Sequence, residues 1–271
     1  MMTVFSQKVI WITGASSGIG EALALELSRM VTPERSVKLV LSARRPDELH
    51  RVARQTGLPA DHVLVLPLDV TAFDQLPAHV ERVLQRFGRI DYVFLNAGLT
   101  QRSAVADTDF SVYQRLMDVN FFGTVALTKA VLPVLLAQQS GHLVVTSSVA
   151  GKIGTKYRSG YCASKHALHG FFDALRAEVH SAGLRVTLVC PGYIRTPISL
   201  HALDADGERY GKMDANQEKG LAADVFARQL LKAVTQQKEE VAIGGQETVG
   251  IYLKRFLPGL LSRIVRKREG P

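Results

Sequence analysis

Tyr161 and Lys165 are the residues of this 271-residue chain whose types and spacing most directly suggest chemistry. Side chains four residues apart on a helix lie on the same face, so the phenol and the ammonium would be neighbours. A phenol has a pKa of about 10, and a nearby positive charge stabilises its phenolate enough for proton exchange close to neutral pH. The same spacing is also typical of an ordinary amphipathic helix with a solvated Tyr and Lys, so the pair needs support from elsewhere in the chain.

Polar side chains near a predicted strand end and inside a predicted helix supply part of that support. Ser147 and Ser148 directly follow the predicted strand Leu143–Thr146. Parallel α/β sheets bind ligands at the carboxyl ends of their strands, so a hydroxyl group here is expected beside a ligand. Asn120 lies in the middle of a predicted helix although asparagine is a poor helix former, which indicates a local function. The alternative for Asn120 is an amide that is simply hydrogen-bonded in the core.

A glycine-rich segment, Thr13 to Gly20, joins the first predicted strand to the first predicted helix. Gly14 permits a sharp turn, Gly18 lets the backbone approach a pyrophosphate, and Gly20 lets the helix pack closely on the strand. The helix N-terminus then offers free N–H groups and the positive end of its dipole to phosphate. Glycines also serve tight turns that bind nothing, so the position after the first of several alternating strands is what favours a dinucleotide site.

Strands and helices alternate along the whole chain. Short β-branched and apolar runs predict the strands Lys8–Thr13, Val37–Ser42, Val63–Pro67, Tyr92–Leu95, Leu143–Thr146, Val186–Cys190 and Glu240–Ile243. Helical periodicity follows the first strand and recurs near residues 47–55, 72–87, 110–137, 159–181 and 221–236. Strands that are apolar on both faces and separated by helices form a parallel sheet covered on both sides. The prediction is a single doubly wound, Rossmann-type α/β domain over residues 1–271, with a central parallel sheet of about seven strands.

A series of motifs between residues 8 and 197 resembles the short-chain dehydrogenase/reductase family. Besides the glycine-rich segment they are Leu68-Asp69-Val70, Asn96-Ala97-Gly98, Asn120 in Met-Asp-Val-Asn-Phe, Ser147-Ser148, Tyr161-Cys162-Ala163-Ser164-Lys165 and Pro191-Gly192. The segments around Ser148 and Lys165 are similar to the branch that contains 11β-hydroxysteroid dehydrogenases and dehydrogenase/reductase member-7 type proteins. The resemblance implies an enzyme that transfers a hydride between a nicotinamide ring and a carbonyl or secondary alcohol carbon.

The resemblance also implies roles for four residues. Ser148, rather than Ser147, matches the family's spacing before Tyr161, and its hydroxyl is expected to hold the substrate oxygen. Tyr161 is expected to transfer the proton. Lys165 is expected to bind the nicotinamide ribose and to favour the phenolate. Asn120 is expected to take part in a proton relay through water to bulk solvent.

The cofactor is expected to be NADP(H) in preference to NAD(H). The second strand is followed by Ala43, Arg44 and Arg45, where a carboxylate would select the ribose 2′-hydroxyl and guanidinium groups suit a 2′-phosphate. The alternative is that Arg44 stacks on adenine and Arg45 is solvated, and Ser17 stands where many NADP-binding relatives have a basic residue. The full set of cofactor contacts implied by the family is Gly14, Ser16, Ser17, Gly18, Ile19, Gly20, Arg44, Asp69, Val70, Asn96, Ala97, Gly98, Tyr161, Lys165, Pro191, Gly192, Ile194 and Thr196.

The net charge of +8 is concentrated at the C-terminus. Residues 251–271 contain six Lys or Arg and one Glu, which leaves a net charge of +3 for the rest of the chain. No nucleic-acid partner is therefore expected for the body of the protein.

Apolar residues recur in the tail at three- and four-residue steps, namely Leu253, Phe256, Leu257, Leu260, Leu261 and Ile264. Pro258 predicts a kink or two short helices, and this basic amphipathic tail is expected either on an anionic membrane surface or packed on the body or a partner subunit.

Other features of the sequence limit the class of protein. No long run of uncharged apolar residues occurs, so no membrane-spanning helix is expected. No secretory signal is recognised, and Cys162 and Cys190 have no ligand-like spacing, so they are expected to be reduced thiols. The prediction is a cytoplasmic protein without a metal site, and peripheral contact with a membrane surface is one of the two alternatives for its tail.

The substrate is predicted to be apolar. The polar segment Gly192–Lys219 is long enough to be a substrate loop, and the apolar residues expected at the pocket are Ile153, Tyr193, Ile194, Ile198 and Leu200. With the branch resemblance, they favour a steroid-, retinoid- or lipid-like carbonyl or alcohol.

Family members commonly form dimers or tetramers through the helices near 110–137 and 159–181. Two alternatives are a non-catalytic dinucleotide sensor, which usually lacks the Tyr or Lys, and a sugar-nucleotide epimerase, which would have a different glycine spacing and a longer C-terminal domain.

Overall fold

The computed structural model describes residues 4–30 and 36–267. Residues 268–271, which close the predicted tail, lie outside the described residues, as do residues 1–3 and 31–35.

Seven parallel strands form the central sheet in the order β3-β2-β1-β4-β5-β6-β9. Their bounds are β1 Val9–Thr13, β2 Lys38–Ser42, β3 Val63–Val65, β4 Tyr92–Leu95, β5 Gly141–Thr146, β6 Leu184–Pro191 and β9 Glu240–Ile243. The predicted doubly wound parallel sheet is confirmed. Because β1 pairs with both β2 and β4, the strand order reverses there, and a crevice opens between the carboxyl ends of β1 and β4.

Ten α-helices are found in the described residues. They are α1 Gly18–Arg29, α2 Pro46–Gln55, α3 Leu76–Phe87, α4 Phe110–Met117, α5 Gly123–Gln138, α6 Ser159–Val179, α7 Ala215–Glu218, α8 Ala223–Thr235, α9 Val249–Phe256 and α10 Pro258–Lys267. The larger helices match the predicted segments, with ends that differ by a few residues.

Two apolar layers hold the helices on the sheet. Trp11 and Val93 belong to the layer that also contains Phe172, while the adjacent Ile12 and Phe94 belong to the opposite layer. Neighbouring residues of one strand therefore point into different cores. This burial of both faces is the reason that the strands are apolar without alternation.

The predicted helix near 110–137 is interrupted by a π-helical turn at Asp118–Phe122, between α4 and α5. The whole stretch Phe110–Gln138 is long and apolar enough to cross a membrane by length and composition, contrary to the prediction that no helix would be. Leu127, Val131 and Leu135 of α5 nevertheless pack in the core on the sheet. The apolar character of the stretch is thus that of a core helix, and length and composition alone are weak support for a membrane span.

The segment predicted as an irregular loop contains short elements. β7 Ile194–Arg195 pairs in parallel with β8 Leu221–Ala222, so its two ends are held together. Between them lie a 3-10 turn at Pro197–His201 and helix α7. Gly192–Lys219 is therefore an ordered segment that extends from the carboxyl edge of the sheet.

The C-terminal tail folds as two helices, α9 and α10, that meet at Leu257 and Pro258, which confirms the predicted break. The predicted single apolar face is divided between two environments. Leu261 is buried against Val149 and Ile153, whereas Phe256, Leu257, Leu260 and Ile264 are exposed. Both helices contribute to the buried side, since Leu253 of α9 packs in the same cluster as Leu261 of α10.

Candidate functional site

A cleft of about 570 Å³ lies at the carboxyl edge of the sheet, over the ends of β1, β4, β5 and β6. Its size is in the ordinary range for small-molecule and cofactor sites. Of the predicted cofactor contacts, all but Gly20 line it. Of the predicted catalytic residues, Ser148, Tyr161 and Lys165 line it, whereas Asn120 is fully buried beside it.

The glycine-rich turn has the backbone that a phosphate cradle needs. Gly14 and Gly18 have φ of +67° and +60°, in the left-handed region that favours glycine. A Cβ at Gly20 would lie 2.3 Å from the Gly14 carbonyl oxygen, which explains why Gly20 packs behind the turn rather than lining the cleft. The N-terminus of α1 then points its free N–H groups into the cleft, an arrangement that fits the pyrophosphate of a dinucleotide.

Thr13 joins the ends of β1 and β4 beneath this turn. Its Oγ1 accepts hydrogen bonds from the backbone N–H groups of Asn96 and Ala97, at 3.0 and 3.1 Å. The Asn96 Nδ2 group donates back to the Thr13 carbonyl oxygen at 3.2 Å. The Asn96-Ala97-Gly98 segment is thereby held against the glycine-rich turn, so the two walls of the crevice are fixed to each other.

Tyr161 and Ser148 meet at the opposite end of the cleft. Tyr161 lies in the first turn of α6, and Ser148 follows β5. The two hydroxyl groups are close enough for Ser148 to act on the pKa of Tyr161. Burial raises the pKa of the Tyr161 phenol, while the nearby Ser148 hydroxyl and the positive charge of Arg158 act in the opposite direction. The Tyr161 phenol and the Ser148 hydroxyl group thus lie beside one point in the cleft.

Ser147 is turned away from that point. Its Oγ donates to the Lys165 carbonyl oxygen at 3.2 Å and lies 2.9 Å from His169 Nε2. Ser148 Oγ accepts the Ala150 N–H at 3.0 Å, in the turn that follows β5. The structure therefore gives the two serines different surroundings, Ser147 facing α6 and Ser148 facing Tyr161.

Lys165 is buried one turn after Tyr161 on α6. Its Nζ donates to the Thr146 carbonyl oxygen at 2.8 Å and lies 5.9 Å from the centroid of the Tyr161 ring. Burial lowers the pKa of Lys165 from 10.5 to about 8. The ammonium form thus persists at neutral pH, at the position where it stabilises a phenolate.

We expect Lys165→Met to stabilise the protein in a pH-dependent way. The ammonium persists to pH 10.5 in the unfolded chain but only to about 8 in the folded one. The unfolded chain therefore binds more protons between these values, and wild-type stability rises with pH across that window. The variant lacks the cost of burying the charge. Its free energy of unfolding should be higher by on the order of 2 kcal/mol below about pH 8, with the gain gone by about pH 10.5.

Urea unfolding of the cofactor-free protein at a series of pH values measures this difference. Lys232→Met, which removes an exposed lysine of α8, is the matched control and should show no such pH dependence. The lost hydrogen bond to Thr146 reduces the gain without changing its pH dependence. A variant less stable than wild type at pH 7, or a gain that is the same at every pH, would contradict the prediction.

Asn120 sits in the π-helical turn and is hydrogen-bonded on all sides of its amide. Oδ1 accepts the Leu99 N–H at 2.9 Å, and Nδ2 donates to the Leu99 carbonyl oxygen and to Ser164 Oγ, both at 2.9 Å. A Cβ placed on Gly98 would lie 3.0 Å from Asn120 Oδ1 and 3.5 Å from Lys165 Nζ. These bonds favour the alternative of a hydrogen-bonded core amide, one that positions the Gly98–Leu99 backbone beside Lys165.

Glu247 supports the cleft although no pattern in the sequence predicted it. Its carboxylate accepts the backbone N–H groups of Tyr193 and Gly245, at 2.7 and 2.9 Å. A Cβ on Gly192 would lie 1.9 Å from the same Oε1 atom. Glu247 therefore holds the Pro191-Gly192-Tyr193 turn at the cleft. No local motif marks this function, because Tyr193, the partner at the cleft, lies 54 residues away in the chain.

The predicted substrate-side residues separate into two groups. Ile194 and Ile198 line the cleft. Ile153 does not line it, because it packs with Leu261 beneath the C-terminal helices. Tyr193 does not line it either, and its ring lies 5.8 Å from the Arg158 guanidinium.

The adenosine end of the cleft is more basic than predicted. Arg44 lines it as expected, and Arg45 also lines it, with Nη2 3.3 Å from Ser16 Oγ. Arg115, His201 and Arg209 contribute as well, from α4 and from the loop after β7. At Asp69, burial is outweighed by hydrogen bonds from Thr71 and by the charge of Arg44, and the pKa is lowered.

The two cysteines and the other possible metal ligands show no sign of a second centre in the described part of the chain. Cys162 and Cys190 are both buried and free. Across residues 4–30 and 36–267, no group of three or more His, Cys, Asp or Glu side chains is placed to hold a metal ion.

Known proteins resemble this chain over most of its length. The short chain dehydrogenase family model matches residues 8–206. A Drosophila melanogaster protein named dehydrogenase/reductase SDR family protein 7-like is 40% identical, over 96% of this chain and 80% of its own. The mouse protein named dehydrogenase/reductase SDR family member 7B is 38% identical over 96% of this chain and 80% of its own. The human protein named member 7 is 40% identical over 92% and 74%.

Solved structures share the fold. The crystal structure of levodione reductase matches with a TM-score of 0.77 and 27% identity, over 90% of this chain and 99% of that one. A Burkholderia phymatum short-chain dehydrogenase/reductase in complex with NAD has a TM-score of 0.80 and 23% identity, over 98% and 97%. Together with the family match and the cleft, these likenesses do not favour the non-catalytic alternative. The chain belongs to the short-chain dehydrogenase/reductase family of nicotinamide-dinucleotide-dependent oxidoreductases and is similar over most of its length to the family's member-7 and member-7B type.

Proposed function

We propose that this protein is an NADP-preferring oxidoreductase that interconverts a carbonyl and a secondary alcohol on an apolar substrate. The observation that carries the proposal is the meeting of Tyr161, Ser148 and Lys165 at one end of the cleft. A bound nicotinamide supplies or accepts the hydride. The side chains described above supply the binding and the proton transfer.

The roles of the three side chains follow from their positions. Ser148 and Tyr161 donate hydrogen bonds to the substrate oxygen and hold the carbonyl. In the direction of reduction, Tyr161 gives its proton to that oxygen as the alcohol forms, and in oxidation it takes the proton back. The Lys165 ammonium lies close enough to stabilise the phenolate that is left behind. Asn120 acts as a positioning residue, through the Leu99 backbone that its amide holds.

A screen for carbonyl-dependent loss of NADPH absorbance tests the reaction class. Purified protein would be offered ketones, aldehydes, quinones, steroids and retinal in parallel, with the Tyr161→Phe variant as the blank. We expect wild type, and not the variant, to oxidise NADPH with at least one apolar carbonyl. No turnover in either direction with any of these classes would overturn the proposal.

The preference for an apolar substrate rests on the cleft lining. Ile194, Ile198 and Leu203 line the cleft on the side of the loop. Steroid-, retinoid- and lipid-like carbonyls present apolar area that such side chains bind. Within the screen, activity confined to small polar aldehydes would contradict this part of the proposal.

The C-terminal helices support a proposal of peripheral membrane contact. Tyr252, Phe256 and Leu257 are 62%, 74% and 54% exposed, while Leu261 holds α10 on the body. Lys254, Arg255, Arg263, Arg266 and Lys267 lie along the same two helices. Exposed apolar side chains among basic ones suit an anionic lipid surface, and such a surface also suits a lipid-like substrate. On this proposal the protein is cytoplasmic and binds a membrane surface peripherally.

We expect the full-length protein to sediment with anionic phospholipid vesicles at low salt and to dissociate as salt screens the charges. The double variant Phe256→Ser/Leu257→Ser, which removes exposed apolar side chains, should stay folded and lose binding. The matched control is Phe73→Ser, because Phe73 is also exposed but lies after β3, away from the tail. Failure of the wild type to sediment, or equal binding by the double variant, would contradict membrane contact.

Self-association is the other proposal for exposed apolar surface. Phe110, Phe122 and Leu136 are exposed on the α4–α5 stretch, where family members commonly form dimers or tetramers. A homodimer or homotetramer through α5 and α6 would cover these side chains. Light scattering of wild type and of Phe122→Ser measures this, and a wild type that is monomeric at micromolar concentration would contradict it.

A further inference from the structure

A hairpin from the loop after β7 crosses the adenosine end of the cleft. Residues 202–210 form it, through an antiparallel bridge between Leu203 and Arg209 and a 2.8 Å bond from the Tyr210 N–H to the Ala202 carbonyl oxygen. Asp204 Oδ1 accepts the backbone N–H groups of Asp206 and Glu208 at the turn. The hairpin is therefore an ordered unit with its own internal bonds.

Backbone hydrogen bonds fix this hairpin to the segment that follows β4. The Leu203 N–H donates to the Thr100 carbonyl oxygen, and the Arg102 N–H donates to the Leu203 carbonyl oxygen, both at 2.8 Å. Arg115 of α4 adds a 3.1 Å bond from Nη1 to the Gly207 carbonyl oxygen. These bonds hold the hairpin over the cleft rather than away from it.

The position of the hairpin brings Arg209 into the lining of the cleft, which also contains Arg44 and Arg45. All three arginines, with His201, line the same cleft. Arg209 Nε donates to the Leu200 carbonyl oxygen at 2.8 Å, which orients the guanidinium and leaves its two terminal nitrogens available. Burial lowers the pKa of His201, and the charges of Arg209, Arg45 and Arg44 lower it further, consistent with all of them surrounding one small region.

The charge of this region suits an anion with two negative charges. Four arginines line the cleft, Arg44, Arg45, Arg115 and Arg209, against the two carboxylates Asp69 and Glu208. A guanidinium group binds phosphate oxygens through a planar pair of N–H donors. The group that distinguishes NADP from NAD is a phosphate on the adenosine ribose, next to the end of β2 where Arg44 and Arg45 lie.

We propose that Arg209 completes the site for the ribose 2′-phosphate, so that the loop covering the substrate side is held closed by the same phosphate that selects the cofactor. This inference rests on the proposed NADP preference and extends it from the end of β2 to a loop more than 150 residues later. It assigns a binding residue that local sequence does not mark. On this proposal the loop is also held more rigidly when NADP is bound than when NAD is bound.

Equilibrium binding of adenosine 2′,5′-bisphosphate and of AMP, by calorimetry, tests the proposal without turnover. The two probes differ only in the 2′-phosphate. We expect wild type to prefer the bisphosphate, and Arg209→Gln to reduce that preference by about tenfold while leaving AMP affinity unchanged. Arg209→Lys keeps the charge and should retain part of the preference. Lys212→Gln removes an exposed cation of the same loop that does not line the cleft, and should leave the preference unchanged.

Trypsin cleavage after Lys212 gives a second measurement. The bisphosphate should slow this cleavage in wild type more than AMP does, and the difference should vanish in Arg209→Gln. If wild type prefers the bisphosphate and Arg209→Gln keeps the full preference, Arg209 is not part of the site, although the NADP proposal survives. A wild type without any preference for the bisphosphate overturns both. If Arg209→Gln also lowers the affinity for AMP, that variant has a disturbed hairpin. The other two variants then test the proposal, which requires Arg209→Lys to lose more of the preference for the bisphosphate than Lys212→Gln does.

Discussion

Tyr161→Phe is expected to lower kcat by ~10²–10⁴-fold while leaving dinucleotide affinity within a few-fold, because the change removes only the phenol hydroxyl group, which carries the proton that general acid–base catalysis transfers. The ring stays packed at the start of α6, and Ser148 keeps its bond to the Ala150 N–H. The cleft therefore keeps its shape. Steady-state kinetics with the best carbonyl found in the screen, together with fluorescence titration of NADPH, measures the two effects separately.

Tyr113→Phe is the matched control for this prediction. Tyr113 is a half-buried tyrosine whose hydroxyl lies 3.4 Å from Ser159 Oγ at the start of the same helix, but it does not line the cleft. Its loss should leave kcat close to the wild-type value. If Tyr161→Phe retained more than about a tenth of the wild-type kcat, the phenol would not be the proton donor.

Arg44→Ala is expected to lower the ratio of kcat/KM for NADPH to that for NADH by roughly 10–150-fold, the equivalent of ~1.5–3 kcal/mol for a charge-assisted hydrogen bond to phosphate. The loss should fall on NADPH alone, because the 2′-hydroxyl of NADH makes no ion pair. Arg44 is exposed at the mouth of the cleft, so its removal leaves the core intact. Kinetics with both cofactors on wild type and variant gives the ratio directly.

Arg54→Ala provides the comparison for Arg44, since Arg54 is an exposed arginine at the end of α2 that does not line the cleft. It should leave the cofactor ratio unchanged. Equal use of the two cofactors by wild type would end the NADP assignment. An unchanged ratio in Arg44→Ala, with a wild type that prefers NADPH, would instead move the phosphate contact to Arg45 or to Arg209.

The repeating elements of the fold were predictable because their signals are local. A buried parallel strand is a short apolar run, and a helix that packs on a sheet shows apolar residues at three- and four-residue steps. β4 and β9 accordingly lie at the predicted bounds, Tyr92–Leu95 and Glu240–Ile243. Departures occur where tertiary contacts act on the backbone. The π-helical turn at Asp118–Phe122 accommodates the buried Asn120 amide. The spacing of apolar residues does not predict this turn.

The candidate site was predictable where one segment carries both partners. Tyr161 and Lys165 are neighbours because of helix geometry alone, and Gly14 and Gly18 shape one turn. Ile153 shows the opposite case. From the sequence alone, an apolar side chain five residues after Ser148 could equally line a pocket or pack in the core. Only the position of Leu261 in α10 decides that Ile153 packs under the tail.

By itself, the sequence of this protein determined the doubly wound sheet, the glycine-rich turn and the Tyr161–Lys165 pair, because each depends on residues a few positions apart and on backbone geometry that repeats. Only the tertiary structure decided that Arg209 lines the same cleft as Arg44, that Glu247 holds the turn at Gly192, and that the apolar residues of the tail divide between a buried and an exposed side. The physical reason is that contacts between distant segments arise from how the packed elements and their loops are placed in space, and a periodicity along the chain does not encode the distance between two loops.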